Sequence, residues 1–96
     1  MEINGRVVEP KINGKTLILY KQTFKKDMLG SLVVDGQVDY VGAMEYLYIF
    51  EKQEGHDVPA RFSDYVDTLD ISEVMECLPE LVKGVNDSVK SKKKKK

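Results

Sequence analysis

Ninety-six residues, 42% of them hydrophobic, make one small domain around a single core, and no apolar stretch approaches the roughly 18–20 residues of a membrane-spanning helix. The lone cysteine, Cys77, excludes an intrachain disulfide framework and fits a reducing compartment, and Met1-Glu2-Ile3-Asn4-Gly5 lacks the basic-then-apolar run of a secretory signal. The net charge of −1 hides a strong asymmetry: residues 1–34 carry six bases and three acids, residues 35–50 three acids and no base, residues 51–82 nine acids and two bases, and residues 83–96 seven lysines and one acid.

The first twenty residues read as β. Arg6-Val7-Val8-Glu9 and Lys15-Thr16-Leu17-Ile18-Leu19-Tyr20 are β-prone, and Asn13-Gly14 between them favours a tight turn, which predicts a hairpin over residues 6–21. Ile3-Asn4-Gly5-Arg6 offers a second turn signal of the same kind. A lone hairpin is marginal in water, so this one must pack on helices or pair with another chain.

From Thr23 the pattern turns helical. Phe24, Met28 and Leu32 fall at i, i+4 and i+8, predicting a helix over about 23–33 that stops at Asp35-Gly36. A second helix is expected over about 38–54. It is apolar almost all round, with Gly42, Glu45 and Lys52 on one narrow polar stripe. Either copies of the chain associate to bury it, or the hairpin and the other helices wrap it. Pro59 suits the first turn of a helix over about 59–69, with Phe62, Tyr65, Val66 and Leu69 on one face. Asp70-Ile71-Ser72-Glu73 resembles a capping box opening a helix over about 71–89, which Pro79 should kink or split. These expectations add up to an α+β fold, a short N-terminal β-hairpin packed on three to four helices, forming one domain over residues 1–90. A disordered lysine tail over residues 91–96 follows.

No catalytic, metal or cofactor signature emerges. His56 beside Asp57 and Glu54 could move a proton, but no nucleophile neighbours it in sequence. Cys77 falls in the apolar register of the last helix. Asp64, Asp67, Asp70, Glu73 and Glu76 recur every third residue without the twelve-residue calcium-loop pattern, and read as a solvated helical face. The seven glycines form neither a phosphate loop nor a dinucleotide fingerprint. The expectation is a protein that is not an enzyme and uses no cofactor.

Ser91 is followed by Lys92, Lys93, Lys94, Lys95 and Lys96, a run too charged to bury. It reads as a solvated tail, as a contact for an anionic surface, or as the translated end of an adenine-rich site on which a ribosome slips. The body without it is acidic, which argues against nucleic acid as its ligand.

The order of features resembles the small tail assembly chaperones of long-tailed, siphovirus-type bacteriophages and prophages. Ile12-Asn13-Gly14-Lys15 followed by Thr16 to Tyr20, an early helix around Phe24, the hydrophobic helix from Tyr40 to Phe50, the acidic helices and the lysine terminus carry the resemblance. It implies a chaperone in the bacterial host cytoplasm that binds the phage tape measure protein, helps recruit tail tube protein, forms homo-oligomers, and is made in a second, longer form by ribosomal frameshifting. The hydrophobic helix would then supply self-association or client contacts, through Tyr40, Met44, Leu47, Tyr48 and Phe50. An alternative of another class is a small adaptor or regulator whose basic tail docks on nucleic acid or an anionic surface.

Overall fold

The computed structural model describes residues 1–94, with side chains described as far as Val89. In chain order the elements are β1 (Glu2–Ile3), β2 (Arg6–Val7), α1 (Gly14–Phe24), β3 (Val33–Val34), β4 (Gln37–Val38), α2 (Tyr40–Gln53), α3 (Phe62–Val66) and α4 (Ile71–Lys94). Both strand pairs are antiparallel hairpins, with Glu2 opposite Val7 and Val33 opposite Val38. Their two-residue turns, Asn4-Gly5 and Asp35-Gly36, have positive φ at both positions, the geometry that matches the natural twist of paired strands. The class is the expected α+β, an N-terminal hairpin with helices packed behind it.

Several boundaries differ from the sequence reading. The hairpin predicted over residues 6–21 is instead formed by Glu2–Val7, and the segment from Lys15 to Tyr20 is helical. Asn13 does not turn a hairpin; it caps α1. Its side chain accepts a hydrogen bond from the Thr16 amide at 3.1 Å, and the Thr16 hydroxyl accepts one from the Asn13 amide at 3.1 Å. Thr16 is buried and also donates to the Gln53 side chain at 2.5 Å, which fixes the start of α1 against the end of α2.

The helix predicted over 23–33 is absent. Phe24 ends α1, and Lys25 adopts a left-handed conformation (φ 62°) whose amide returns to the Lys21 carbonyl. Met28 and Leu32 are buried all the same, held by the loop that leads into β3. The helix α2 is two residues shorter at its start than the predicted 38–54 and one shorter at its end, and α3 occupies only the centre of the predicted 59–69. Pro59 precedes α3, where its carbonyl accepts a hydrogen bond from Tyr48. The last helix begins as expected, with the Asp70 carboxylate accepting from the Ser72 amide, but it is not split at Pro79. Val74 and Cys77 before that proline and Leu81 and Val85 after it are buried in the same core, which offsets the lost backbone bond. The backbone of α4 runs to Lys94, while the side chains beyond Val89, and all of Lys95 and Lys96, fall outside the described residues, so the expectation for a flexible tail is not addressed by them.

The centre of the molecule is α2. Ala43 and the run Tyr46 to Phe50 are buried to 1% exposure or less, and α1, α3 and α4 all pack against this helix. The chain therefore wraps its own apolar helix. Fully burying such side chains stabilises the fold by about 1.5–3 kcal/mol each. The rings form a connected cluster in which Phe24 meets Tyr20, Tyr48 and Phe62 at centroid distances of 4.8, 6.2 and 5.1 Å.

The buried phenols also tie down loops. Tyr46 donates to the Met28 carbonyl, and Tyr48 to the carbonyls of Pro59 and Ala60. Burial pushes the Tyr46 hydroxyl up to about 12, so it stays a donor throughout the physiological range.

Two helical glycines permit close crossings. A Cβ on Gly42 would stand 2.0 Å from the Ser31 carbonyl oxygen, and one on Gly84 would stand 2.3 Å from Pro10 Cγ. Alanine for glycine inside an unobstructed helix stabilises by about 1 kcal/mol. Here we expect the opposite sign: Gly42→Ala and Gly84→Ala each lose about 1–3 kcal/mol through forced displacement of the crossing loop. Urea unfolding followed by circular dichroism gives the sign directly, and a gain in stability at either position would show that the loop has room to retreat.

Candidate functional site

The five residues expected on a contact surface divide sharply. Leu47, Tyr48 and Phe50 are fully buried inside the subunit and present nothing to a client or a second copy; that expectation is corrected for these three. Met44 is partly buried against the core. Tyr40, at the first turn of α2, is 49% exposed. The buried residues of α2 begin at Gly42, and its first turn, Tyr40 and Val41, follows directly on the β3–β4 hairpin and stays exposed.

Around Tyr40 the chain exposes other large apolar side chains. Val33, Val34 and Val41 are 46%, 47% and 51% exposed. The Asp39 amide donates to the Leu32 carbonyl at 2.8 Å, closing the base of the hairpin directly onto the start of α2. Together with the close passage of Ser31 over Gly42, this holds hairpin and helix start as one unit. A shallow cleft of ≈ 310 Å³ opens here, lined by Val34, Gln37, Val38 and Asp39. Sequence reasoning missed the valines because it read Val33 as the end of a helix. The signal that could have found them was Asp35-Gly36, a hairpin turn read as a helix stop.

A second apolar surface lies on α1. Leu17, Ile18, Lys21, Asp27, Met28 and Leu29 line a cleft of ≈ 340 Å³, with Ile18 61% and Leu29 50% exposed. Leu17 and Leu29 also border a smaller hollow that reaches Ser88 and Val89 on α4.

Among the described residues, the densest group of titratable side chains surrounds Glu51, which the sequence did not mark. Its carboxylate is fully buried. One oxygen accepts from Arg6 Nε and lies 3.1 Å from His56 Nδ1; the other accepts from Arg6 Nη2 at 3.1 Å and from the Tyr65 hydroxyl at 2.7 Å. Burial acts to raise the Glu51 pKa, but the hydrogen bonds from Arg6, Tyr65 and His56 outweigh it and hold the group below the ordinary glutamate value. Burial, and then the hydrogen bond to this carboxylate, push the Tyr65 hydroxyl well up. With its acceptor positions filled by neighbours of the same chain, Glu51 has no free lone pair for a substrate proton, and the cluster acts as a clasp. His56, the sequence's one candidate for proton transfer, is a member of that clasp.

Glu45, expected on the polar stripe of α2, is also turned inward and only 7% exposed; Tyr20 donates to it at 2.6 Å and Lys26 lies 3.1 Å away. Among the described residues, no three His, Cys, Asp or Glu side chains stand close enough to share a metal ion, and no helix is long and apolar enough to cross a membrane.

Comparison with protein-family models, with curated proteins and with solved structures finds no match to this chain.

The clasp makes an acid-side prediction. Glu51→Gln keeps the shape but strips Arg6 of its counter-charge, and should cost about 3 kcal/mol at pH 7, the lower end for a broken buried pair because Arg6 is one-third exposed. Since the folded-state pKa lies below the unfolded one, the wild-type advantage is complete above about pH 4.3 and is lost as pH falls through the folded value. Urea melts at several pH values should show the gap between wild type and variant closing on acidification; a gap independent of pH would mean that the charge contributes nothing.

Proposed function

We propose that this chain is a tail assembly chaperone of a long-tailed bacteriophage or prophage, acting in the host cytoplasm as a holdase without bond chemistry. The single observation that carries the reading is the cluster of half-exposed apolar side chains, Val33, Val34, Tyr40 and Val41, mounted on a hairpin fastened to a rigid buried helix. Aromatic and aliphatic groups held out on a stiff support suit reversible contact with the apolar face of another helix. The resemblance supplies the client: a tape measure protein, a long helical chain whose apolar faces need cover until tail tube subunits polymerise around it.

Several copies, each contributing a small apolar contact, hold such a rod through combined attachment while each contact stays reversible. The codons of the lysine run, Lys92 to Lys96, are the expected place for the frameshift that yields the longer form. In this reading Tyr40 keeps the role the sequence gave it, Met44 lies next to it, and Val33, Val34 and Val41 replace Leu47, Tyr48 and Phe50.

The test is co-expression with the long helical protein encoded downstream in the same genome. The wild-type chain should keep that protein in the supernatant and co-purify with it. The double variant Tyr40→Ser with Val41→Ser, altered only at exposed positions, should fold normally and lose both effects. Binding that ignores the double variant but vanishes at high salt or on removal of Lys92 to Lys96 would favour the adaptor reading instead.

A further inference from the structure

Positive charge gathers around α1. Residues 11–26 contain five lysines, all exposed, and no acid. Lys15 and Lys21 stand one helical turn before and after Ile18, which is 61% exposed between them. Leu29, on the loop that follows α1, is 50% exposed and lines with Ile18 the cleft of ≈ 340 Å³ whose other apolar walls are Leu17 and Met28. Lys26 is held by the inward-turned Glu45, and Lys21 pairs with the exposed Asp27 at 3.4 Å. Lys11, Lys15 and Lys25 form no ion pair among the described residues. The apolar surface continues past Leu17 and Leu29 to Ser88 and Val89 of α4, and the sequence after Val89 adds six further lysines.

We infer that this face docks on an anionic phospholipid bilayer, with Ile18 and Leu29 entering the boundary between headgroups and acyl chains and the lysines meeting the lipid phosphates. Charge and depth together select this occupant. Aliphatic groups project at the centre of the patch, and long lysine stems around them let the ammonium groups reach back to the headgroups. A nucleic acid would match the charge but would leave Ile18 and Leu29 against phosphate and water, since it is held by stacking rings and this patch exposes aliphatic groups. A lysine run alone gives weak, salt-sensitive contact; α1 supplies the apolar second signal that lets such a contact hold. Lying on a bilayer needs no spanning length, and among the described residues no helix has one. The acids stand well away. Exposed Asp67, Asp70 and Glu76 surround the start of α4, and Ile71 lies about 25 Å from Ser88 along that helix at 1.5 Å per residue. That is about three Debye lengths at physiological salt, so the acidic end does not cancel the attraction, and the molecule lands with α1 towards the lipid. The docking is independent of any client: a chain that binds lipid in this way yet ignores helical proteins keeps this inference and sinks the proposed function.

Flotation of the full chain with vesicles of equal parts phosphatidylcholine and phosphatidylglycerol, against vesicles of phosphatidylcholine alone, tests it. The chain should float with the first kind only, and less as salt rises. Ile18→Ser with Leu29→Ser alters two exposed positions and no charge, and should lower the partitioning at least about tenfold. Lys11→Glu with Lys15→Glu should lower it about thirtyfold. Lys15 lies in the first turn of α1, where a carboxylate suits the helix dipole, so that variant keeps its fold. The chain has no tryptophan, so Ile18→Trp and, on the other apolar patch, Tyr40→Trp each report a single site without removing an apolar group. With the anionic vesicles the emission of the first should shift to shorter wavelength and be quenched by brominated acyl chains, while that of the second stays unchanged. This pair decides the matter if circular dichroism shows the serine variant unfolded. A wild type that stays behind in the aqueous fraction overturns the inference, including one whose lysines retain an oligonucleotide or an acidic peptide instead. So does flotation that ignores Ile18→Ser with Leu29→Ser and vanishes when Lys92 to Lys96 are removed, or an Ile18→Trp emission that does not move.

Discussion

A helix apolar on every side must be enclosed, and the enclosure here is fastened at a buried charge. Glu51 sits on the far half of α2, where the helix has no exposed face left, and its carboxylate collects Arg6 from the first hairpin, His56 from the following loop and Tyr65 from α3. Three separate segments are thereby held around one side chain. Removing a carboxylate from water is expensive, and only a full set of donors makes it tolerable. The hairpin, the loop and α3 are thus mutually dependent: none can leave without exposing a deficit in the others.

The same logic recurs in milder form with the tyrosines. A core without tryptophan relies on Tyr20, Tyr46, Tyr48 and Tyr65 for bulk, and each brings a hydroxyl that must be satisfied. Two of these bind carboxylates and two bind loop carbonyls, so the polar ends of core residues set the course of the connections. The loop over residues 25–32 illustrates the outcome. It has no regular structure, yet it delivers Met28 and Leu32 to the core, because Tyr46 draws in its backbone.

With the interior so fully used, the apolar side chains that stay exposed are scattered over the margins: Val7 on the first hairpin, Ile18 on α1, Val33 and Val34 on the second hairpin, Tyr40 and Val41 at the first turn of α2, and Ile71 and Met75 at the start of α4. The charges are distributed around them by sign, acidic at the start of α4 and basic on α1. The acidic start, with Glu73 in the first turn, also suits the dipole of α4.

The sequence by itself determined the class of fold, the existence of a central apolar helix and the start of the last helix, because hydrophobic period and capping residues are local signals. It did not determine what a turn signal would become. Ile3-Asn4-Gly5-Arg6 and Ile12-Asn13-Gly14-Lys15 are nearly the same tetrapeptide, yet one closes a hairpin and the other caps a helix. Thr16 decides the second case, since its hydroxyl completes the cap and then reaches Gln53, a partner 37 residues away. Nor did it separate Tyr40 from Tyr48, which share an apolar run but not a fate. Which residues of an all-apolar helix face solvent depends on where its neighbours end, and that is fixed only when α1, α3 and α4 have packed against it.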